Sequence, residues 1–105
     1  MPVENNKFLS LLGLCQRAGK LVSGELPCEK ALKGVKVKLL IISEDASDNT
    51  KKKFKNAALL KNVDIICTET KENIGRAIGK DLRSTVAIID EGFARQLKNL
   101  YEKRV

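Results

Sequence analysis

Three stretches of the chain, VKLLIIS (37–43), VDIICT (63–68) and TVAIID (85–90), are nearly unbroken runs of apolar, mostly branched residues. A strand with one wet face alternates apolar and polar side chains, whereas a run without alternation suits a strand covered on both faces. Covered strands demand helices between them, and the intervening segments carry helical patterns. SDNTKKKFKNAALLK (47–61) opens on Ser47, Asp48, Asn49 and Thr50, all helix N-cap residues. TKENIGRAIGKDLR (70–83) spaces Ile74, Ala77 and Ile78 for one helix face, and FARQLKNLYEK (93–103) puts Phe93, Leu97, Leu100 and Tyr101 on one stripe. Upstream, KFLSLLGLCQRAGK (7–20) repeats the helical spacing through Phe8, Leu11, Leu12, Cys15 and Ala18, with Gly19 as its stop. Leu21-Val22-Ser23 has room for only a very short strand, and a helix of roughly 27–33 follows, ending at Gly34. Strands that alternate with helices in this way predict an α/β fold: a three-layer α/β/α sandwich around a mixed, mostly four-stranded sheet. At 105 residues the whole chain, 1–105, forms a single domain.

Composition narrows the function. Twenty Lys and Arg against 13 Asp and Glu give a formal charge of +7, and a basic small domain attracts polyanions by counterion release. No apolar run approaches a membrane span. The N-terminal MPVENNKF lacks the pattern of a secretory signal, so a cytoplasmic chain is expected. Histidine is absent, which removes the usual general acid–base and any Cys/His zinc site. Cys15, Cys28 and Cys67 fall in apolar patterns without a C-x-x-C and read as small buried hydrophobes. Two phosphate-loop look-alikes fail. Gly13 to Gly19 encloses five residues where four are needed, Gly75 to Gly79 encloses three, and neither lysine that follows is succeeded by Ser or Thr. No enzyme, cofactor or metal is therefore expected.

The binding signals are equally specific in what they omit. The aromatic residues Phe8, Phe54, Phe93 and Tyr101 all sit on helix stripes, leaving no stacking platform for single strands. KKKFK (51–55) reads first as a solvated helix face around an inward Phe54, adding to a field that attracts RNA. Glu44 and Asp45 follow directly after a strand, the edge at which α/β sheets place ligands. As a lone acidic pair they also suit a strand-end turn.

Four blocks, GLCQRAGKLVSG (13–24), EKALKG (29–34), KLLIISEDASDNTKKK (38–53) and IGRAIGKDLRSTVAIIDEGFA (74–94), together resemble the L-seven-Ae/L-thirty-e ribosomal protein family, and within it the small bacterial YlxQ-type members. The similarity covers residues 8 to about 98. It implies an α/β/α sandwich and RNA binding, commonly to kink-turns, through three loops at one end. The first loop is a glycine strand-to-helix turn followed by an Asn-Glu pair and, a turn later, a lysine. Here Gly24 and Lys30 match the glycine and the lysine, but Leu26 and Pro27 stand where the pair is expected. An amide and a carboxylate read base edges at roughly 1–3 kcal/mol per bidentate contact, and leucine and proline side chains offer no hydrogen bond at all. Glu25 stands one position early as a substitute. Pro27, read as the first helical residue, gives up an N–H that had no helix partner. The second loop carries Glu44, Asp45, Ser47 and Lys51, and the third Lys80, Asp81, Leu82, Arg83 and Ser84, with Leu82 suited to cover a base and Lys80 and Arg83 to meet phosphates. Lys20 and Lys33 complete the expected RNA surface.

Two readings follow. One is an RNA-binding protein resembling ribosomal proteins, a monomer in contact with ribosomal or kink-turn-like RNA. The other is a protein-interaction module of the translation machinery, in which the Leu26-Pro27 lip has exchanged base reading for an apolar contact with the ribosome or a translation factor. Charge that gathers at the 24–33 end favours the first; charge spread over the helices does not.

Overall fold

A computed structural model of the chain describes residues 3–34 and 36–103, with side chains from residue 7 onward. The elements run α1 (Val3–Arg17), β1 (Leu21–Ser23), α2 (Glu25–Gly34), β2 (Leu39–Ile42), α3 (Asp48–Lys61), β3 (Asp64–Cys67), α4 (Lys71–Ala77), β4 (Thr85–Ile88) and α5 (Glu91–Lys103). The strands form one mixed sheet in the order β1-β4-β2-β3. β4 is antiparallel to both β1 and β2, and α3 carries the chain across to the parallel pair β2–β3.

The strand pleat sorts the core into two layers. Leu39, Ile41, Val86 and Ile88 face one way and join Phe8, Leu12 and Cys15 of α1, Ile74 of α4 and Leu97 of α5. Leu40, Ile42 and Ala87 face the other way and join Cys28, Ala31 and Leu32 of α2 with Phe54 and Ala58 of α3. The predicted three-layer sandwich is thus the observed one. β2 and β4 are buried at every position, as their unbroken apolar runs require. β3 departs from the expectation: Asp64 is exposed and Ile65 and Cys67 are half-buried, because β3 is the sheet's edge.

Element ends differ from the sequence reading for local reasons. α2 begins at Glu25, two residues before the expected start, so Pro27 is its third residue. Its missing N–H still falls among the first four of the helix, which have no partner within it. α4 stops at Ala77, where Gly79 takes a positive φ of 75° and the Lys80 amide bonds back to the Gly75 carbonyl at 2.8 Å. The residues after it leave as a loop. β2 is shorter than its apolar run, although the Lys38 and Ser43 amides continue its bonding to Ile88 and Ser84. Cys15 and Cys28 are buried, and burial pushes both thiols up to about 12, which leaves them inert packing groups. Among the described residues no helix is long and apolar enough to cross a membrane.

Candidate nucleic-acid interface

The register brings Ser23, Ile42, Cys67 and Thr85 to one end of the sheet, so three connections emerge side by side: 24–25, 43–47 and 80–84. Gly24 makes the first turn. Its φ of 99° is open to glycine at no steric cost, and its N–H donates to the Thr85 carbonyl at 2.9 Å. The chain then enters α2 with Pro27 packed 3.3 Å from where a Gly24 Cβ would stand.

The three loops are stitched together by polar contacts. Arg83 Nε–H donates to Ser23 Oγ at 3.2 Å, which ties the third loop to the end of β1. The Arg83 amide donates to the Lys71 carbonyl and the Lys71 amide to Asp45 Oδ1, both at 3.0 Å, so the second and third loops share the start of α4. Burial raises the Asp45 carboxyl, but the hydrogen bond from the Lys71 amide and the cationic Lys71 side chain help hold it below its usual range. Ser47 caps α3 by accepting from the Thr50 amide at 3.1 Å. The Ser47 hydroxyl donates to Thr50 Oγ1, which in turn donates to Glu25 Oε2 at 2.9 Å. Lys53 Nζ completes the clamp, donating to Glu25 Oε1 and Glu29 Oε2 at 3.1 Å each. Lys53 and then Thr50 hold the Glu25 carboxyl below its ordinary value.

The expected site residues therefore divide. Glu25 and Arg83, which are half-buried, and Asp45 and Ser47, which are exposed, commit polar atoms to hydrogen bonds that hold the loops in place. Glu25 in particular has both oxygens engaged by α3, so as a reader of base edges it would first have to leave Thr50 and Lys53. Leu26, Pro27, Lys30, Glu44, Lys80, Asp81 and Leu82 are exposed, and Lys51 is half-exposed. Leu26 is 69% and Leu82 58% exposed, two bare apolar side chains at one end of a small domain. Two expected residues lie elsewhere. Lys20 precedes β1 and belongs to the opposite end of the sheet, where its carbonyl accepts from the Ile89 amide, and Lys33 is in the last turn of α2, away from Gly24.

The sequence reading missed Ser23, Thr50, Lys53, Lys71 and Glu69. Glu69 is the least ordinary of them. It is 8% exposed with a φ of 64°, its carbonyl accepts from the Glu44 amide at 2.8 Å, and its Oε1 accepts from Asn73 Nδ2 at 3.4 Å. A left-handed backbone at a non-glycine residue costs of order 1–3 kcal/mol and persists only where the surroundings impose it. The carbonyl bond to the second loop is what imposes it here. No periodicity signals such a residue, since its place is set by contacts between segments.

Positive charge does not gather at this end. Lys30 and Lys80 flank the bare leucines, but Lys52 and Lys55 line α3, and Lys33, Lys36 and Lys61 are exposed around the ends of α2 and α3.

The geometry defines a class by its fold: a small α/β/α sandwich that displays three cross-linked loops at one end, around a glycine strand-to-helix turn. The chain belongs to the Ribosomal protein L7Ae/L30e/S12e/Gadd45 family, whose model matches residues 6–98. It is 40% identical over 96 residues to the RNA-binding protein YlxQ of Bacillus subtilis, covering 91% of this chain and 96% of that one. Its identity to the RNA-binding protein YlxQ of Enterococcus faecium is 38% over 99 residues, with 94% and 95% of the two chains covered. A solved structure of a protein of unknown function from Bacillus halodurans C superposes with a TM-score of 0.88 at 38% identity, over 92% of this chain and 98% of that one.

Proposed function

We propose that this protein binds structured RNA, of the ribosomal or kink-turn-like kind, through the loop end formed by Gly24–Lys30, Glu44–Lys51 and Lys80–Arg83. The observation that carries the reading is the convergence of those loops on one exposed surface with Leu26 and Leu82 bare among Lys30 and Lys80. Relatives named as RNA-binding proteins over nearly the full length support it, and they outweigh the charge criterion, which is not met because the lysines are spread along α2 and α3. Leu26 and Leu82 would cover splayed bases, Lys30 and Lys80 would meet phosphates, and backbone amides would supply most hydrogen bonds. With Leu26-Pro27 in place of a base-reading pair, and Glu25 held by α3, recognition rests on RNA shape more than on base edges. Lys20 and Lys33 lie outside this surface.

The test is binding to a kink-turn RNA and to the same duplex without its G·A pairs, across a salt series. A shape reader prefers the kink-turn by more than tenfold, and Lys30→Ala weakens both affinity and salt slope. Equal affinities with a steep slope reduce the contact to phosphate attraction, and no binding to either RNA at low salt rejects the reading for these substrates. Leu26→Asn with Pro27→Glu sharpens the kink-turn preference if the turn meets the bases; no change would place the site elsewhere.

A further inference from the structure

α2 and α3 both begin at the loop end and run away from it side by side on one face of the sheet, clamped within their first two turns by Glu25, Thr50 and Lys53. Beyond the clamp they separate into a groove of about 230 Å³. Leu32, Phe54, Ala57 and Leu60 make its lining apolar, and Lys33 and Lys61 stand at the last turns of its two walls. Leu60 is 85% exposed, the barest of the large apolar side chains among the described residues. Nothing in the fold requires a leucine there, because the core side of α3 is already supplied by Phe54 and Ala58.

We propose that this groove docks an acidic, amphipathic segment of another protein. The charges select the occupant. Three lysines against one glutamate leave the lining at +2, and Lys53 is engaged by Glu25 and Glu29 while Lys33 and Lys61 make no ion pair among the described residues. Two uncommitted cations at the mouth of an apolar slot fit a helix or strand that inserts a branched side chain beside Leu60 and sets carboxylates within three or four residues on either side. A second copy of this chain is a poor occupant, since each copy carries +7. RNA is also a poor occupant. Phe54, the aromatic residue of the groove, is fully buried and offers no face for stacking, and phosphates would leave Leu60 wet. From Ser47 at the loop end to Leu60 the helix climbs roughly 20 Å at 1.5 Å per residue, far enough for both surfaces to be occupied at once. The inference does not depend on the RNA reading.

The experiment places the photocrosslinker p-benzoylphenylalanine at position 60 of the full chain in living cells, followed by nuclease digestion and mass-spectrometric mapping of the crosslinked peptide. The expected product is a nuclease-resistant protein adduct whose attached peptide carries at least two Asp or Glu within four residues of the crosslinked apolar side chain. Lys33→Glu with Lys61→Glu reduces that adduct at least tenfold, and Lys33→Gln with Lys61→Gln reduces it by less. Both pairs lie on exposed positions, and an unchanged melting temperature verifies that each variant folds. A nuclease-sensitive adduct, an adduct to a second copy of the chain, an attached peptide without acidic residues, an adduct indifferent to charge reversal, or no adduct at all overturns the proposal.

Discussion

The two helical layers solve the same problem in different ways. The layer of α1, α4 and α5 packs its helices closely. A Cβ on Gly13 would come within 2.9 Å of the Ala77 carbonyl, and one on Gly75 would overlap the carbonyl oxygen of Asp81. The layer of α2 and α3 covers the other face with two helices, joins them at the top by carboxylate, hydroxyl and ammonium groups, and leaves an apolar groove below. The difference shows where this fold holds its shape and where it offers surface. Glycines bring the third loop down onto α4, so the position of Lys80–Arg83 is set by backbone packing. Glu25 and Thr50 set the position of α2 by hydrogen bonds that stay partly wet.

Perturbing each layer tests that contrast. The largest effect falls on the shared core: Phe54→Ala removes a fully buried ring and costs about 3–5 kcal/mol, read from urea denaturation, whereas Leu60→Ala on the same helix stays within about 0.5 kcal/mol. Equal losses would mean that the groove is core. Next comes Gly75→Ala. Its methyl meets backbone and not a flexible side chain, so overpacking costs about 3 kcal/mol, of which helix propensity returns roughly 1. The net destabilisation of about 2 kcal/mol should be accompanied by amide shifts confined to 80–84 and by weaker RNA binding. An unshifted loop would show that α4 does not position it.

Glu25→Gln probes the polar clamp, with a smaller effect and a pH signature. The Glu25 carboxyl titrates lower in the folded chain than in the unfolded one, because Lys53 and Thr50 stabilise its charge. On acidification the unfolded state takes up this proton first, so the contribution is present above about pH 5 and disappears as pH falls through the folded value. The side chain is 42% exposed, and solvent screening limits the gain to about 0.5 kcal/mol. Stability measured from pH 6 to pH 3 should fall less steeply in the variant, and an unchanged acid limb would remove the clamp from the account. The smallest effect belongs to Lys98→Ala. Its 2.7 Å contact with Asp64 is exposed on the sheet's edge, and the melting temperature should not move measurably.

Much of this architecture is legible in the residues themselves. Unbroken apolar runs at 37–43 and 85–90 specify strands buried on both faces, and those strands specify helices on both sides. The run at 63–68 has the same character yet forms an edge strand, since sheet order depends on which crossover the chain takes and not on composition. The glycine turn at 24, the Ser47 cap and the loop at 80–84 are local signals and are found where the spacing puts them. Lys20 and Lys33 are adjacent in sequence to the turn but belong to the far end, because a strand and a helix carry them away from it.

The sequence by itself determined the layers, the two-sided burial of the central strands and the departure at Leu26-Pro27, because periodicity and hydrogen-bonding capacity are properties of the residues. Only the tertiary structure decided which polar groups remain for a partner. Glu25, Asp45 and Arg83 look like ligand contacts along the chain, and in space their partners are Thr50, Lys71 and Ser23, up to 60 residues away. A hydrogen bond between segments takes a side chain out of the pool available to RNA, and no reading of one segment reveals that its partner lies in another.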